Sequence, residues 1–187
     1  MGKLLLITAP SGAGKTTIVR HLLKTFDSLA FSISATTRPK RHYEEEGKDY
    51  YFLSKEKFET LIEEDAFVEW EEVYPNLFYG TLKREVQRLW AEDKNIIFDI
   101  EVKGATNIKK AYPDNSLAIF IKPPSLNCLI ERLQSRKTEN EETLKERVDR
   151  AKKELLYENN FDKVIINDHL KSALQEAENI VKDFLNE

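Results

Sequence analysis

The stretch Ala9-Pro10-Ser11-Gly12-Ala13-Gly14-Lys15-Thr16, followed by Thr17, carries the most specific chemistry in the chain. It fits the pattern G-x-x-x-x-G-K-[ST], except that Ala9 stands where the first glycine usually does. Gly12 and Gly14 can take the positive φ that lets successive backbone N–H groups crowd around phosphate oxygens. A helix starting near Lys15 would aim the positive end of its dipole at the same point. The spacing therefore predicts a site for ATP along residues 9–17. Lys15 would reach the β- and γ-phosphates and the Thr16 hydroxyl would coordinate Mg²⁺. An ordinary glycine turn is the plainer alternative. Its place between an apolar run and a helical pattern, as the phosphate motif requires, argues against that. A second element is Ile96-Ile97-Phe98-Asp99, an apolar run ending in a carboxylate that suits the other protein ligand of Mg²⁺. Glu101, two residues on, faces the same side if the strand continues.

Arginine is the residue for bidentate phosphate capture and for charge that spreads in a transition state. Arg38 and Arg41 follow Thr36-Thr37, and Arg132, Arg136 and Arg147 lie in or beside a polar stretch. Arg132 and Arg136 share a helix face four apart with no carboxylate between them, so they repel unless an anion joins them. Without phosphates both arginine sets are expected to have few partners. Lys145, Arg150, Lys152 and Lys153 sit among glutamates and read instead as a solvated face of i,i+4 pairs. His21, His42 and His169 are scattered and form no catalytic group.

These residues need a frame. Lys3 to Thr8, Ile96 to Ile100, Leu117 to Ile121 and Val164 to Ile166 read as buried strands. Helical stripes run through Ile18, Val19, Leu22, Leu23 and Phe26, through Leu126, Leu129, Ile130 and Leu133 with Ser125 as cap, and through Leu170 to Leu185. Strands alternating with helices predict an α/β fold around a central parallel sheet. Residues 34–81 break the alternation. They are polar and aromatic-rich, with strand-like pieces at Tyr50 to Leu53 and Phe67 to Tyr74 and a helix at Ser54 to Glu64. They read as an inserted α+β subdomain. Residues 134–147 read as a small mobile lid, which leaves 1–33, 82–133 and 148–187 as the core of a single domain.

The 187 residues suffice for one domain with a sizeable core. With 41% hydrophobic and 33% charged residues the chain is globular rather than disordered. A net charge of -4 gives no general attraction to nucleic acid or anionic membrane. The lone Cys128 excludes an internal disulfide and a thiolate cluster, and reads as a small core residue. The apolar start is too short for a signal peptide or a membrane span, which makes the cytoplasm the expected compartment.

Seven ordered stretches extend the phosphate motif: Ser11 to Thr16, Ser34-Ala35-Thr36-Thr37-Arg38, Gly47-Lys48-Asp49-Tyr50, Glu69-Trp70, Tyr79-Gly80-Thr81, Asp99-Ile100-Glu101 and Ile166-Asn167-Asp168. Through them the chain resembles the guanylate kinase family over essentially its whole length. The resemblance implies a P-loop NTPase three-layer core, a nucleotide-monophosphate-binding insertion and an ATP-side lid, with ATP and GMP as substrates and Mg²⁺ as cofactor. It implies that Arg38, Arg41, Tyr50 and Tyr79 hold the GMP phosphate. Ser34, Glu69, Thr81 and Glu101 would read guanine. Arg132, Arg136 and Arg147 would close over the triphosphate, and Asn167 would lie against adenine. Glu101 stands where the family often has Asp, His42-Tyr43 replaces small residues, and Lys137 stands for a glycine. Two alternatives remain open at this point: another small-molecule kinase, such as a ribose-bisphosphate kinase of similar build, and a guanylate-kinase-like protein-binding domain without activity. The intact Lys15 argues against the second.

Overall fold

The computed structural model describes residues 2–135 and 141–186. Its centre is β1 (Leu4–Thr8), buried at every position. Successive strand side chains point to opposite faces. Leu4 and Leu6 accordingly enter one apolar cluster, while Leu5 and Ile7 enter another. This two-sided burial is why the strand is an unbroken apolar run. It lies in a five-stranded sheet of order β2 (Leu29–Phe31), β7 (Asn95–Asp99), β1, β8 (Ser116–Lys122), β9 (Lys163–Ile166), with every pairing parallel. On one face, α1 (Lys15–Thr25), α5 (Leu126–Gln134) and α7 (Leu170–Asn186) contribute Ile18, Leu22, Leu129, Leu133, Ala177 and Val181. On the other, α3 (Lys83–Ala91) and α4 (Val102–Ala111) contribute Val86, Leu89, Ala105 and Ile108. The result is the three-layer α/β core expected.

A second sheet draws on β3 (Ala35–Thr36), β4 (Tyr51–Phe52), β5 (Phe67–Tyr74) and β6 (Leu77–Leu82), in the order β4-β3-β6-β5. Asn76, at φ 64°, turns the antiparallel β5–β6 hairpin. The sheet has its own small core, in which Phe58 of α2 (Lys55–Glu63) stacks on Phe67 with ring centroids 4.4 Å apart. Glu85, only 1% exposed, joins the two sheets. Its carboxylate accepts from the Ile33 backbone N–H at 3.2 Å, the Tyr51 hydroxyl at 2.9 Å and the Arg88 guanidinium at 2.9 Å. That contact fixes where the chain leaves the core for the second sheet.

Several expectations are corrected. The strands β2 and β6 were not expected from the sequence. Cys128 is half-buried, because Leu129 and Leu133, four apart, take the core-facing positions of α5. The stretch 134–147, read as a small lid, runs into a helix. Residues 141–147 open α6 (Glu141–Leu155), whose Leu144, Val148 and Ala151 recur at helical spacing and pack against the core. Arg136 and Lys137 lie outside the described residues. Among the described residues, no helix is long and apolar enough to cross a membrane.

Candidate active site

The turn between β1 and α1 is built as the glycines require. Gly12 and Gly14 adopt φ of 92° and 102°, and the Ala13 N–H donates to the Pro10 carbonyl at 3.0 Å. Side chains would also collide there. A Cβ on Gly12 would come within 3.1 Å of Leu133, and one on Gly14 would strike the Asn167 amide. Asn167 is buried beneath the loop, where its Nδ2 donates to the Ala13 carbonyl at 2.7 Å. It braces the loop rather than lining the space above it.

Lys15 opens α1 and its ammonium pairs with Asp99 at the end of β7. Burial alone would lower the Lys15 pKa. The charges of Asp99 and Glu101 outweigh it and hold the group above its usual range, so it is always cationic.

Two adjoining cavities of about 340 and 430 Å³ lie above this point. The first is walled by Ala9, Pro10, Ser11, Gly12, Gly14 and Thr17 of the loop, with Arg147 and Glu154 opposite. The second is walled by Ser34, Tyr50, Glu69, Tyr79 and Asp99, among others. Lys15, Thr16, Tyr74, Glu101 and Arg150 belong to both, so a transferred group could pass between two occupants at Lys15.

Glu69 is the most unusual group in the second cavity. It is 8% exposed on β5, and its Oε1 accepts from the buried Thr81 hydroxyl of β6 at 2.8 Å. Burial pushes its carboxyl up to about 7. An alanine Cβ at Gly104 of α4 would sit 2.6 Å from the Glu69 Oε2, so that glycine is the clearance for the carboxylate. Gly104→Ala is therefore expected to displace Glu69 and raise KM for the acceptor about tenfold, the loss of one charge-assisted hydrogen bond. KM for ATP should be unchanged. Steady-state kinetics with each substrate varied in turn checks this, and equal effects on both would defeat it.

The arginines are not the unpartnered set expected. Arg38 forms a two-pronged pair with Glu44, at 3.0 and 2.7 Å, and its guanidinium lies 5.4 Å from the Tyr50 ring centroid. Glu44 is itself buried and also accepts from the Arg41 backbone N–H at 2.8 Å. The Arg41 side chain is exposed and donates to the Tyr43 hydroxyl at 2.9 Å. Neither Arg38 nor Arg41 is on the wall of these two cavities. Arg132 donates to the Asn167 carbonyl at 2.9 Å, clamping the segment that braces the phosphate loop. Arg147 reaches the Ser11 hydroxyl at 3.3 Å, beside the phosphate loop.

Sequence reasoning missed Glu44, Gly104, Tyr74 and Arg150. Arg150 makes the expected i,i+4 pair with Glu154 at 2.8 Å, but it also reaches Glu101 at 2.9 Å and faces both cavities. A glycine inside a helical pattern was the one available signal for Gly104.

For a divalent cation, the Thr16 hydroxyl and the Asp99 carboxylate are hard oxygen donors on the wall of the second cavity. Among the described residues no cluster of three or more His, Cys, Asp or Glu side chains could hold a metal. Two protein oxygens, with nucleotide phosphates completing the shell, is the arrangement that suits Mg²⁺ rather than a dedicated cage.

A family model described as guanylate kinase matches residues 1–184. A guanylate kinase of Porphyromonas gingivalis is 50% identical over 186 residues, covering 99% of both chains. Another, from Chlorobium luteolum, is 47% identical over 186 residues, covering 100% of this chain and 94% of its own. The crystal structure of guanylate kinase from Anaplasma phagocytophilum superposes with a TM-score of 0.74 at 26% identity, covering 97% of this chain and 85% of its own.

Proposed function

Because the chain belongs to the guanylate kinase family and so uses ATP to phosphorylate GMP, we propose that it does this by in-line transfer between the two adjoining cavities. ATP lies over the phosphate loop and GMP lies in the cavity of Glu69. The observation that carries this placement is Glu69, a buried carboxylate aimed into the cavity that shares Lys15 with the loop. A carboxylate can accept from both N1–H and the exocyclic amine of guanine. Adenine offers an acceptor at N1 and no such amine, so it would leave the carboxylate unpaired. Ser34 and Glu101 stand around the same space, and Thr81 fixes Glu69 from behind.

The acceptor needs no general base. The second pKa of a nucleotide phosphate is about 6, so at neutral pH the acceptor is mostly a dianion. What the protein must supply is positive charge and alignment. Lys15 neutralises the transferred group at the junction of the cavities. Arg38, held in place by Glu44 beside Tyr50 and Tyr79, and Arg41 would take the GMP phosphate. Arg147 would take the triphosphate, and Arg136 is assigned to the same task. Arg132 and Asn167 act one layer back, on the loop. Thr16 and Asp99 would hold Mg²⁺, which when bound shields the negative charge of the phosphates. Residues 34–81 thus serve GMP and residues 134–147 serve ATP. A charge-rich chain with ATP as co-substrate fits the cytoplasm.

A coupled ADP-release assay across GMP, dGMP, AMP, UMP and a sugar phosphate tests this placement. GMP should exceed AMP in kcat/KM by about 10⁴-fold, the discrimination available to a site that leaves a buried polar group unpaired. dGMP should also turn over, since none of the proposed contacts touches the ribose. Comparable rates with AMP would mean that Glu69 does not read the base.

A further inference from the structure

α6 carries two arginines three residues apart, which places them on one helix face. Arg147 reaches Ser11 of the phosphate loop at 3.3 Å. Arg150 crosses to the other cavity. Its Nη2 donates to Glu101 Oε2 at 2.9 Å and its Nε to Glu154 Oε1 at 2.8 Å. The guanidinium is thus clamped between two carboxylates that differ in freedom. Glu154 is 13% exposed and fixed on the same helix, whereas Glu101 is 44% exposed at the start of α4. Burial first, and then the charge of Glu101, push the Glu154 carboxyl up, so the two acids repel across the space that Arg150 fills.

Resting on the reading that Glu101 faces guanine, we propose that Arg150 is a positioning residue for base recognition: it turns Glu101 towards the cavity, so that Glu101 accepts from guanine's exocyclic amine. That amine has two N–H groups. Glu69 pairs with one of them together with N1–H, and the second needs another acceptor. Glu101 lines the same cavity as Glu69 and has one oxygen committed to Arg150, which leaves the other to take the bond. Without Arg150, repulsion from Glu154 and the pull of water would swing Glu101 out. The identity of the residue on α6 then sets how well guanine is told from hypoxanthine, which lacks the amine.

The test compares GMP with inosine monophosphate. Arg150→Met keeps the helix and most of the stem but loses the fork, and it should raise KM for GMP about tenfold, the value of one charge-assisted hydrogen bond. KM for inosine monophosphate and for ATP should move less than about twofold, with kcat nearly constant, as expected when the lost base contact is equally strong in the ground and transition states. Arg150→Lys keeps the charge and should restore part of the GMP preference. It also carries the comparison if the methionine variant fails to fold by circular dichroism. Loss of the same factor for both acceptors, or a rise confined to ATP, would overturn the proposal and make Arg150 a phosphate ligand. Glu101→Gln separates the premise from the inference. An unchanged GMP preference in that variant overturns the base-site reading, and this proposal with it. A changed preference there alongside an unchanged one in Arg150→Met overturns this proposal alone.

Discussion

Lys15→Ala is expected to lower kcat by at least about 10³-fold while the protein stays folded. Lys15 is the cation at the meeting point of the two cavities, and its partner Asp99 and the Ile100 carbonyl, 3.4 Å away, hold it there before substrate arrives. A charge placed in advance costs no reorganisation when negative charge shifts during transfer, and deleting one such donor typically costs about 10²–10³ in rate. The expected loss is at the upper end or beyond, because the group is a full charge and not a dipole. In energy it amounts to about 4 kcal/mol. The fold should survive. Alanine is well tolerated in a helix, and Asp99, which keeps some access to water, can be solvated once its partner is gone. Turnover should be measured with circular dichroism and thermal melting on the same sample. Near-normal kcat in a folded variant would remove Lys15 from the reaction and with it the placement of ATP over the loop.

What could be read from the sequence follows a physical division. The parallel strands were legible because they are buried on both faces, which forces runs such as Leu4-Leu5-Leu6-Ile7. The phosphate loop was legible because its glycines, lysine and threonine are adjacent in the chain. β2 was not, since three residues are too few to show a period. β6 was hidden by Gly80, which is there because a side chain would press on the Glu69 carbonyl and on Phe67 and Trp70 across the hairpin. The start of α6 was lost in its charges, although Leu144, Val148 and Ala151 keep a helical stripe. Candidate residues failed for another reason. Arg150 does make the i,i+4 pair that sequence reasoning assigned, but a long side chain can satisfy a local partner with one nitrogen and reach a remote one with another. Arg38 was expected to wait for phosphate, yet Glu44, six residues on, already holds it. Local spacing shows which residues can meet along a helix or strand. It does not show what a loop such as residues 38–50 folds back upon.

Glu69 should give the enzyme a pH dependence that belongs to GMP alone. In the empty protein burial raises its carboxyl from 4.5 to about 7. Guanine's N1–H and amine favour the ionised form, so between that value and the lower pKa of the bound form GMP binds with release of a proton. The pH profile of kcat/KM reports the free enzyme, and for GMP it should fall about tenfold per unit between about pH 7 and pH 6, while KM for ATP stays flat. The acceptor phosphate titrates near pH 6 as well, so Glu69→Gln provides the control. It should abolish the limb near pH 7, leave the limb of the phosphate, and lower kcat/KM for GMP by about 1.5–3 kcal/mol, because the amide turns a donor towards guanine's donors. The same shift bears on stability, with the opposite benefit. Below pH 4.5 the group is protonated in both native and unfolded chains and contributes nothing. Between 4.5 and about 7 the unfolded chain ionises first while the native state keeps its proton, so stability falls as pH rises through that window. At 1.36 kcal/mol per unit, the full cost above pH 7 is about 3 kcal/mol. Glu69→Gln, which has no charge to bury, should therefore melt higher than the unsubstituted protein at pH 8 and similarly at pH 4.5. Saturating GMP should narrow the gap at pH 8, since it binds the chain that keeps the carboxylate more tightly and so stabilises it more. A variant that melts lower at pH 8, with an unchanged GMP profile, would show that Glu69 is already ionised in the empty cavity and that guanine is read elsewhere.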